Sequence, residues 1–190
     1  MSIFDLIKRS RSIRRFKQSQ PVSTDNLRRF VDCARLSPTG ANLQPLKFFL
    51  SNDPRTNDKI FGTLAWAGYL QDWAGPTDGE RPAAYVVILC DTSIRKQGAE
   101  VDIGISAQSI MLAACEAGFG GCMIGSINRS QLRENLALDM RYEISLVCAL
   151  GVPAETVVIE PVTDGGIKYY RDADGTHHVP KRSLDDVIIS

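Results

Sequence analysis

The residues best suited to chemistry lie close to the start of the chain, in the run Arg11-Ser12-Ile13-Arg14-Arg15-Phe16. Three cations and a hydroxyl fall within five positions, with apolar Ile13 and Phe16 interleaved. A guanidinium is a planar fork of donors that fits a phosphate two-handed, and a nearby hydroxyl adds another donor. The run therefore predicts an anion pocket at the end of a first helix. Its bland alternative is a solvated basic turn. A second cationic pair, Lys181-Arg182, stands near the C-terminus.

Two further stretches bear on a ligand. Ser37-Pro38-Thr39-Gly40-Ala41-Asn42-Leu43-Gln44-Pro45 is a loop by its prolines and glycine. It runs straight into an apolar strand, so it is held rigidly, and rigid loops are where binding residues sit. Asn42 and Gln44 offer amide donors and acceptors to a planar heterocycle, or else only tie down the loop's own backbone. Gly118-Phe119-Gly120-Gly121-Cys122-Met123-Ile124-Gly125 reads as glycine loop, short strand, glycine. Such glycines let a backbone approach a flat or anionic ligand closely. The pattern is not GxGxxG and opens no helix, so it is not a dinucleotide fingerprint.

Other chemistries find little support. The five cysteines show no CxxC spacing and sit mostly in apolar stretches, as small buried hydrophobes of a reducing compartment do. His177 and His178 are adjacent, without an acid or thiol cluster around them in sequence, so no metal is expected. No Ser-His-Asp or Cys-His arrangement stands out.

The elements that must position these residues follow from periodicity and caps. Residues 2–9 form a short amphipathic helix with Ile3, Leu6 and Ile7 on one face. Ser23 caps a second helix carrying Leu27, Phe30, Val31 and Ala34, which ends before Pro38. Lys47–Leu50 is a strand, and Asp53-Pro54 opens a helix predicted over residues 55–73. Residues 74–82 are loop and Ala84–Cys90 the clearest strand. A long helix over 98–117, apolar nearly all round and rich in small residues, is buried and invites close approach by another helix. On it, Asp102 and Gln108 are expected to serve packing and local hydrogen bonds. Asn128-x-x-Gln131 resembles a capping box for a helix over 129–137, and Ile144–Leu150 is another buried strand. Residues 154–180 are polar and turn-rich and predict an extended tail. Ser183 caps a short last helix.

At 190 residues the chain is expected to be one domain, 1–190, with the tail from about 154. Hydrophobic content of 44% and zero net charge argue against disorder and against generic nucleic-acid binding. No apolar run is long enough to cross a bilayer, and residues 1–15 carry no cleavable hydrophobic region, so a cytoplasmic location is expected.

Together these stretches resemble the FMN-dependent nitroreductase family, and the likeness spans nearly the whole chain. Arg-Ser-Ile-Arg-Arg-Phe is similar to that family's phosphate-binding run. Ser-Pro-Thr-Gly-Ala-Asn-Leu-Gln-Pro is similar to its Ser-Pro-Ser-x-x-Asn-x-Gln-Pro loop. Residues 118–125 look like its glycine-rich turn beside the flavin, and Pro180-Lys181-Arg182 is similar to its second phosphate contact. The resemblance implies an α+β sandwich, a mostly antiparallel sheet flanked by helices, in an intertwined homodimer with FMN at the interface. It also implies that Arg11, Ser12 and Arg14 hold the ribityl phosphate, joined by Lys181 and Arg182. Thr39, Gly40, Asn42 and Gln44 would approach the same flavin from the other subunit. Backbone groups of Gly121, Met123, Ile124 and Gly125 would line its ring. The 98–117 helix would belong to the dimer core, and the tail would embrace the partner.

Two departures from the family pattern stand out. Ser10 occupies the place of a common arginine, and Gly120-Gly121-Cys122-Met123 replaces Gly-Leu-Gly-Thr-Cys-Trp and lacks the tryptophan. The segment Trp66–Trp73 falls where members vary their substrate roof.

The activity implied is oxidation of NADH or NADPH and reduction of nitroaromatics, quinones or similar electron-poor small molecules, in ping-pong order. The flavin carries the chemistry, and no side chain acts as nucleophile. One alternative is an enzyme of the same superfold with dehalogenating or flavin-cleaving chemistry. Another is a flavin-binding storage or sensor protein. A nucleic-acid module built on Arg9–Arg15 conflicts with the zero net charge and with the interleaved Ile13 and Phe16.

Overall fold

A computed structural model describes residues 1–189. Its centre is an antiparallel sheet in the order β1-β2-β4-β3, formed by Leu46–Ser51, Ala84–Asp91, Tyr142–Gly151 and Gly120–Ile124 (β1, β2, β4 and β3). Every residue of β2 is buried, because the sheet is covered on both faces and the pleat alternates its side chains between them. Val86 and Ile88 join Leu27 and Phe30 of α2 (Thr24–Leu36) and Ile110 and Ala114 of α4 (Glu100–Glu116) in one core. Tyr85 and Val87 face the other way, into a core with Ile60 of α3 (Pro54–Phe61) and Leu132 of α5 (Arg129–Leu136). The chain is thus the α+β sandwich expected.

Capping follows the sequence. Ser2 and Asp5 form a reciprocal box at α1 (Ile3–Arg9), and Ser23 and Asp53 accept from the third residue beyond them at α2 and α3. Asn128 accepts from the Gln131 amide N–H, but the Gln131 side chain turns to Asn135, so only half of that box forms.

Three expectations are revised. The helix predicted over 55–73 stops at Phe61, with Gly62 as its cap. Beyond it the apolar residues mimic helical spacing in an irregular segment. Trp66 is buried, and Gly75, at φ +119°, lies so close to its indole that a Cβ would stand 2.7 Å from the ring. Ser183 caps only a turn, its hydroxyl accepting from the Asp186 N–H at 3.2 Å. The extended tail over residues 154–180 carries strands that were not expected. Val157–Pro161, Tyr170–Arg171 and His177–Lys181 (β5, β6 and β7) form a second sheet in the order β5-β7-β6, with β5 and β7 parallel. Among the described residues, no helix is long and apolar enough to cross a membrane.

α4 leaves one stripe uncovered. Val101, Gly104 and Gln108 are exposed, and Ile105 and Leu112 are only partly covered. Spaced by three and four residues, they share one helix face. Ile3, Phe4 and Ile7 of α1 are exposed as well.

Candidate functional site

The basic run becomes a strand-like edge beside β3. Ser12 bridges Gly121 in parallel, and the Ile13 N–H donates to the Gly121 carbonyl at 2.8 Å. The interleaved apolar residues explain why the run is fixed rather than a solvated turn. Ile13 is buried and Phe16 is completely so. Burying two such side chains contributes about 3–6 kcal/mol, an upper estimate. Arg15 leaves the site and pairs with Glu80 at 3.2 Å.

Arg11, Ser12 and Arg14 line a cavity of about 330 Å³, together with Gln108 and Met111 of α4, Met123 of β3, and Tyr169, His177, Val179 and Lys181 of the tail. The tail contribution follows from strand parity. Side chains alternate along β7, so 177, 179 and 181 share the face toward the cavity while His178 takes the other. The same parity separates the Lys181-Arg182 pair, and Arg182 is not at the cavity wall.

The cavity is built for a negative ligand. Arg11, Arg14 and Lys181 stand around it, and no carboxylate is among the described residues lining it. Arg11 donates to the Ile7 carbonyl at 2.6 Å, while its buried Nε has no partner in the chain. Desolvation by burial holds its pKa below the usual arginine value. Arg14 is already engaged. Its guanidinium lies 4.7 Å from the Tyr169 ring centre and donates to His177 Nε2 at 3.2 Å and to the Ser12 carbonyl at 3.4 Å. Guanidinium only donates, so His177 Nε2 is the acceptor and its proton sits on Nδ1. Burial, and then the Arg14 charge, push the His177 pKa down to about 4. The imidazole is therefore neutral at neutral pH.

Glu155 fastens this wall. Its carboxylate accepts from the Arg14 N–H, from the Arg15 N–H at 3.1 Å and from Arg171 at 2.9 Å. Its side chain is only 2% exposed. The tail is thereby tied to the basic run of its own chain. The segment Trp66–Trp73 docks on the same tail: the Tyr69 and Tyr169 rings are 4.9 Å apart, and Arg171 packs 4.8 Å from the Trp73 ring centre.

Other expected site residues lie elsewhere. Thr39, Gly40, Asn42 and Gln44 sit on and beside a 3-10 turn at the start of α4 and do not line this cavity. Gly40 N–H donates to Asp102 at 2.9 Å and Arg95 donates to the same carboxylate at 3.2 Å, the local role expected of Asp102. Gln44's amide donates to the Asn42 carbonyl at 3.3 Å, so in the single chain it ties down its own loop. Yet Ala41, Asn42 and Gln44 hold φ of 51°, 55° and 52°. Left-handed backbone at three non-glycine residues costs about 1–3 kcal/mol each, and such strain collects at ligand sites.

The glycine turn packs closely against its own chain. At Gly120 a Cβ would meet Ile13 at 2.7 Å, and at Gly121 the Ala149 carbonyl oxygen at 2.5 Å. Gly120 thus admits the chain's own side chains, Ile13 and Pro153, and Gly121 its own backbone. Ile124 points into the core and only Met123 reaches the cavity, while a Cβ at Gly125 would meet nothing nearer than Leu146 at 4.0 Å. Gln108, Met111, Tyr169, His177 and Val179 were not singled out from sequence for this wall. The alternation of His177-His178-Val179-Pro180-Lys181 was the available signal for the tail residues.

The Nitroreductase family matches residues 7–152. A Bacillus subtilis protein, YodC, named provisionally as an NAD(P)H nitroreductase, is 21% identical over 180 residues, covering 77% of this chain and 87% of its own. Protein DrgA of Synechocystis is 23% identical over 180 residues, covering 82% and 86%. Among solved structures, a nitroreductase family protein from Streptococcus pneumoniae superposes with a TM-score of 0.71 at 18% identity over the whole of both chains. An FMN-dependent nitroreductase from Clostridium difficile gives 0.64 at 22% identity, covering 90% and 94%. The family match ends before the tail that closes the cavity.

Proposed function

The chain belongs to the nitroreductase family, and we propose that it is an oxidoreductase that holds FMN in this cavity, taking electrons from NADH or NADPH and passing them to nitroaromatics, quinones or similar electron-poor molecules. The observation that carries the reading is the cavity itself: three cations and the hydroxyls of Ser10 and Ser12, no carboxylate on its described wall, and a buried Arg11 Nε still lacking an acceptor. A phosphate monoester supplies that acceptor. FMN, when bound, supplies a ring that accepts hydride from a reduced nicotinamide and returns it to an oxidant.

The chain's own residues bind and orient. Arg11, Ser12 and Lys181 are the phosphate ligands, each keeping donor capacity that the chain leaves unused. Arg14 holds the His177–Tyr169 wall in place and adds positive charge. Met123 gives the ring a soft apolar surface. Tyr69 packs on Tyr169, a residue of the cavity wall, and Trp73 on Arg171, so the segment 66–73 lies beside the site. The Thr39–Gln44 loop completes the site from a second copy of the chain. That copy covers the uncovered α4 stripe, which is apolar but for Gln108 and has small Gly104 at its centre. A homodimer is therefore part of the reading, and sedimentation at micromolar concentration checks it.

The direct test is an absorbance spectrum of purified protein, followed by anaerobic NADH and NADPH. A yellow protein that bleaches with a donor and recolours with a nitroaromatic or quinone is the expected result. Colour that persists with both donors would favour binding without turnover, and a colourless protein that takes up no FMN would sink the proposal. Replacing Arg11 with alanine removes a charge-assisted contact and should weaken FMN by about 10- to 150-fold. Arg14→Ala should also lower flavin retention, by loosening the wall. Unchanged flavin content after dialysis would remove either residue from its role.

A further inference from the structure

The two adjacent histidines face opposite ways, and the outer one ties the tail sheet together. His178 lies on the middle strand, β7. Its Nδ1 is 2.9 Å from Glu160 of β5, and its Nε2 is 3.0 Å from Asp172, just beyond β6. Its ring stacks on Tyr170 of β6, with centroids 4.6 Å apart and planes 5° from parallel. One imidazole therefore joins the central strand to both neighbours.

The charge of that ring follows from its partners. Ionised carboxylates only accept, and a neutral imidazole carries a single N–H. Both contacts are hydrogen bonds only when the ring is the cation. On the elements facing it, the charged or titratable groups in contact are Glu160, Asp172 and the Tyr170 phenol, which itself reaches Glu160 at 3.4 Å. On its own strand, His177 stays neutral. Donation to the Asp172 carboxylate, and then to that of Glu160, raises the His178 pKa above the ordinary imidazole value. The His178 hydrogen bond likewise holds Asp172 below the usual carboxylate range.

We propose that His178 is a positioning residue for the cavity: as an imidazolium bridging Glu160 and Asp172, it sets β7 so that His177, Val179 and Lys181 on the opposite face form the wall that retains the ligand. The proposal rests on the reading that the cavity takes FMN. These residues all lie beyond the 7–152 family match. The sign of the pH dependence is fixed. A raised folded-state pKa contributes stability that is complete below the ordinary value of about 6.5 and is lost as pH rises through the raised value. On the acid side, Asp172's tie is lost as pH falls through its depressed value. Towards alkaline pH one of the two ties disappears, and β7 is held on one side only.

The test compares wild type with His178→Phe, which keeps the stack on Tyr170 and makes neither hydrogen bond. The FMN dissociation rate is followed from pH 5.5 to 9, with amide exchange of residues 177–181 and the imidazole titration read by NMR on the ligand-free protein. In wild type the dissociation rate should rise severalfold, with its midpoint at the His178 titration. The phenylalanine variant should dissociate fast at every pH and lack that step. Protonation of the FMN phosphate is common to both proteins, so the difference isolates the histidine. The same step in both proteins, or a His178 titration at or below the ordinary imidazole value, overturns the proposal. If wild type binds no FMN, the flavin reading fails by itself. The NMR titration and amide exchange then still decide whether His178 holds β7.

Discussion

Glu155→Ala should lower the unfolding free energy by about 3–5 kcal/mol, the usual cost of removing one partner of a buried ion pair. For a chain of this size that is a fall in melting temperature of roughly 6–20 °C. The reason is the crowd of donors around one carboxylate. Arg171 is 13% exposed and pairs with it at 2.9 Å, and the backbone N–H groups of Arg14 and Arg15 point at its other oxygen. Truncation leaves a near-buried guanidinium and two amides unsatisfied. Replacing both Glu155 and Arg171 by leucine should recover part of the loss, because the stranded charge goes too. Amide exchange should rise first in the tail sheet. An unchanged melting temperature, with unchanged exchange over 157–181, would show that the tail is held by something else.

Gly121→Ala should cost about 1–3 kcal/mol, toward the upper end. Its new methyl would lie 2.5 Å from the Ala149 carbonyl oxygen, 2.8 Å from Leu150 Cδ2 and 3.0 Å from Met111 Cε. The two side chains can turn aside, but the carbonyl belongs to β4, paired to β3 through Gly121 and Leu150. Met111 also lines the cavity, so relief there narrows the site. Chemical denaturation measures the loss. Gly125→Ala is the control, with nothing nearer than Leu146 at 4.0 Å, and should stay within about 0.5 kcal/mol of wild type. If the two alanine variants were equally stable, the close packing of β3 on β4 would be disproved.

Much of the scaffold was legible because it obeys rules among near neighbours. Val86 and Val87 are flanked by equally apolar residues, the mark of a strand covered on both faces. Ser23 and Asp53 cap as their types demand. The same local rules misread residues 62–73, where Phe61, Leu64, Trp66 and Trp73 keep helical spacing. Their contacts are not those of a helix: Phe61 packs on Trp66, Trp66 lies beneath Gly75, and Trp73 lies against the distant Arg171. The tail was misread for the opposite reason. Its strands are short and polar, and their pattern shows only once β5 and β7 pair across an intervening fifteen residues (162–176).

By itself the sequence determined that this protein carries two groups of donors suited to an anion, in the run Arg11–Arg15 and in the pair Lys181-Arg182. Residue type and spacing are local properties, and they suffice for that; the α+β frame came from the family resemblance of the motifs. Only the tertiary structure decided which of the donors share a cavity. Strand parity turned Lys181 inward with His177 and left Arg182 out, and a salt bridge drew Arg15 away to Glu80. It also decided the different charge states of two neighbouring histidines. Burial beside Arg14 keeps one neutral, and two carboxylates from flanking segments favour a proton on the other. Those partners lie up to 163 positions away along the chain, at distances no local pattern encodes.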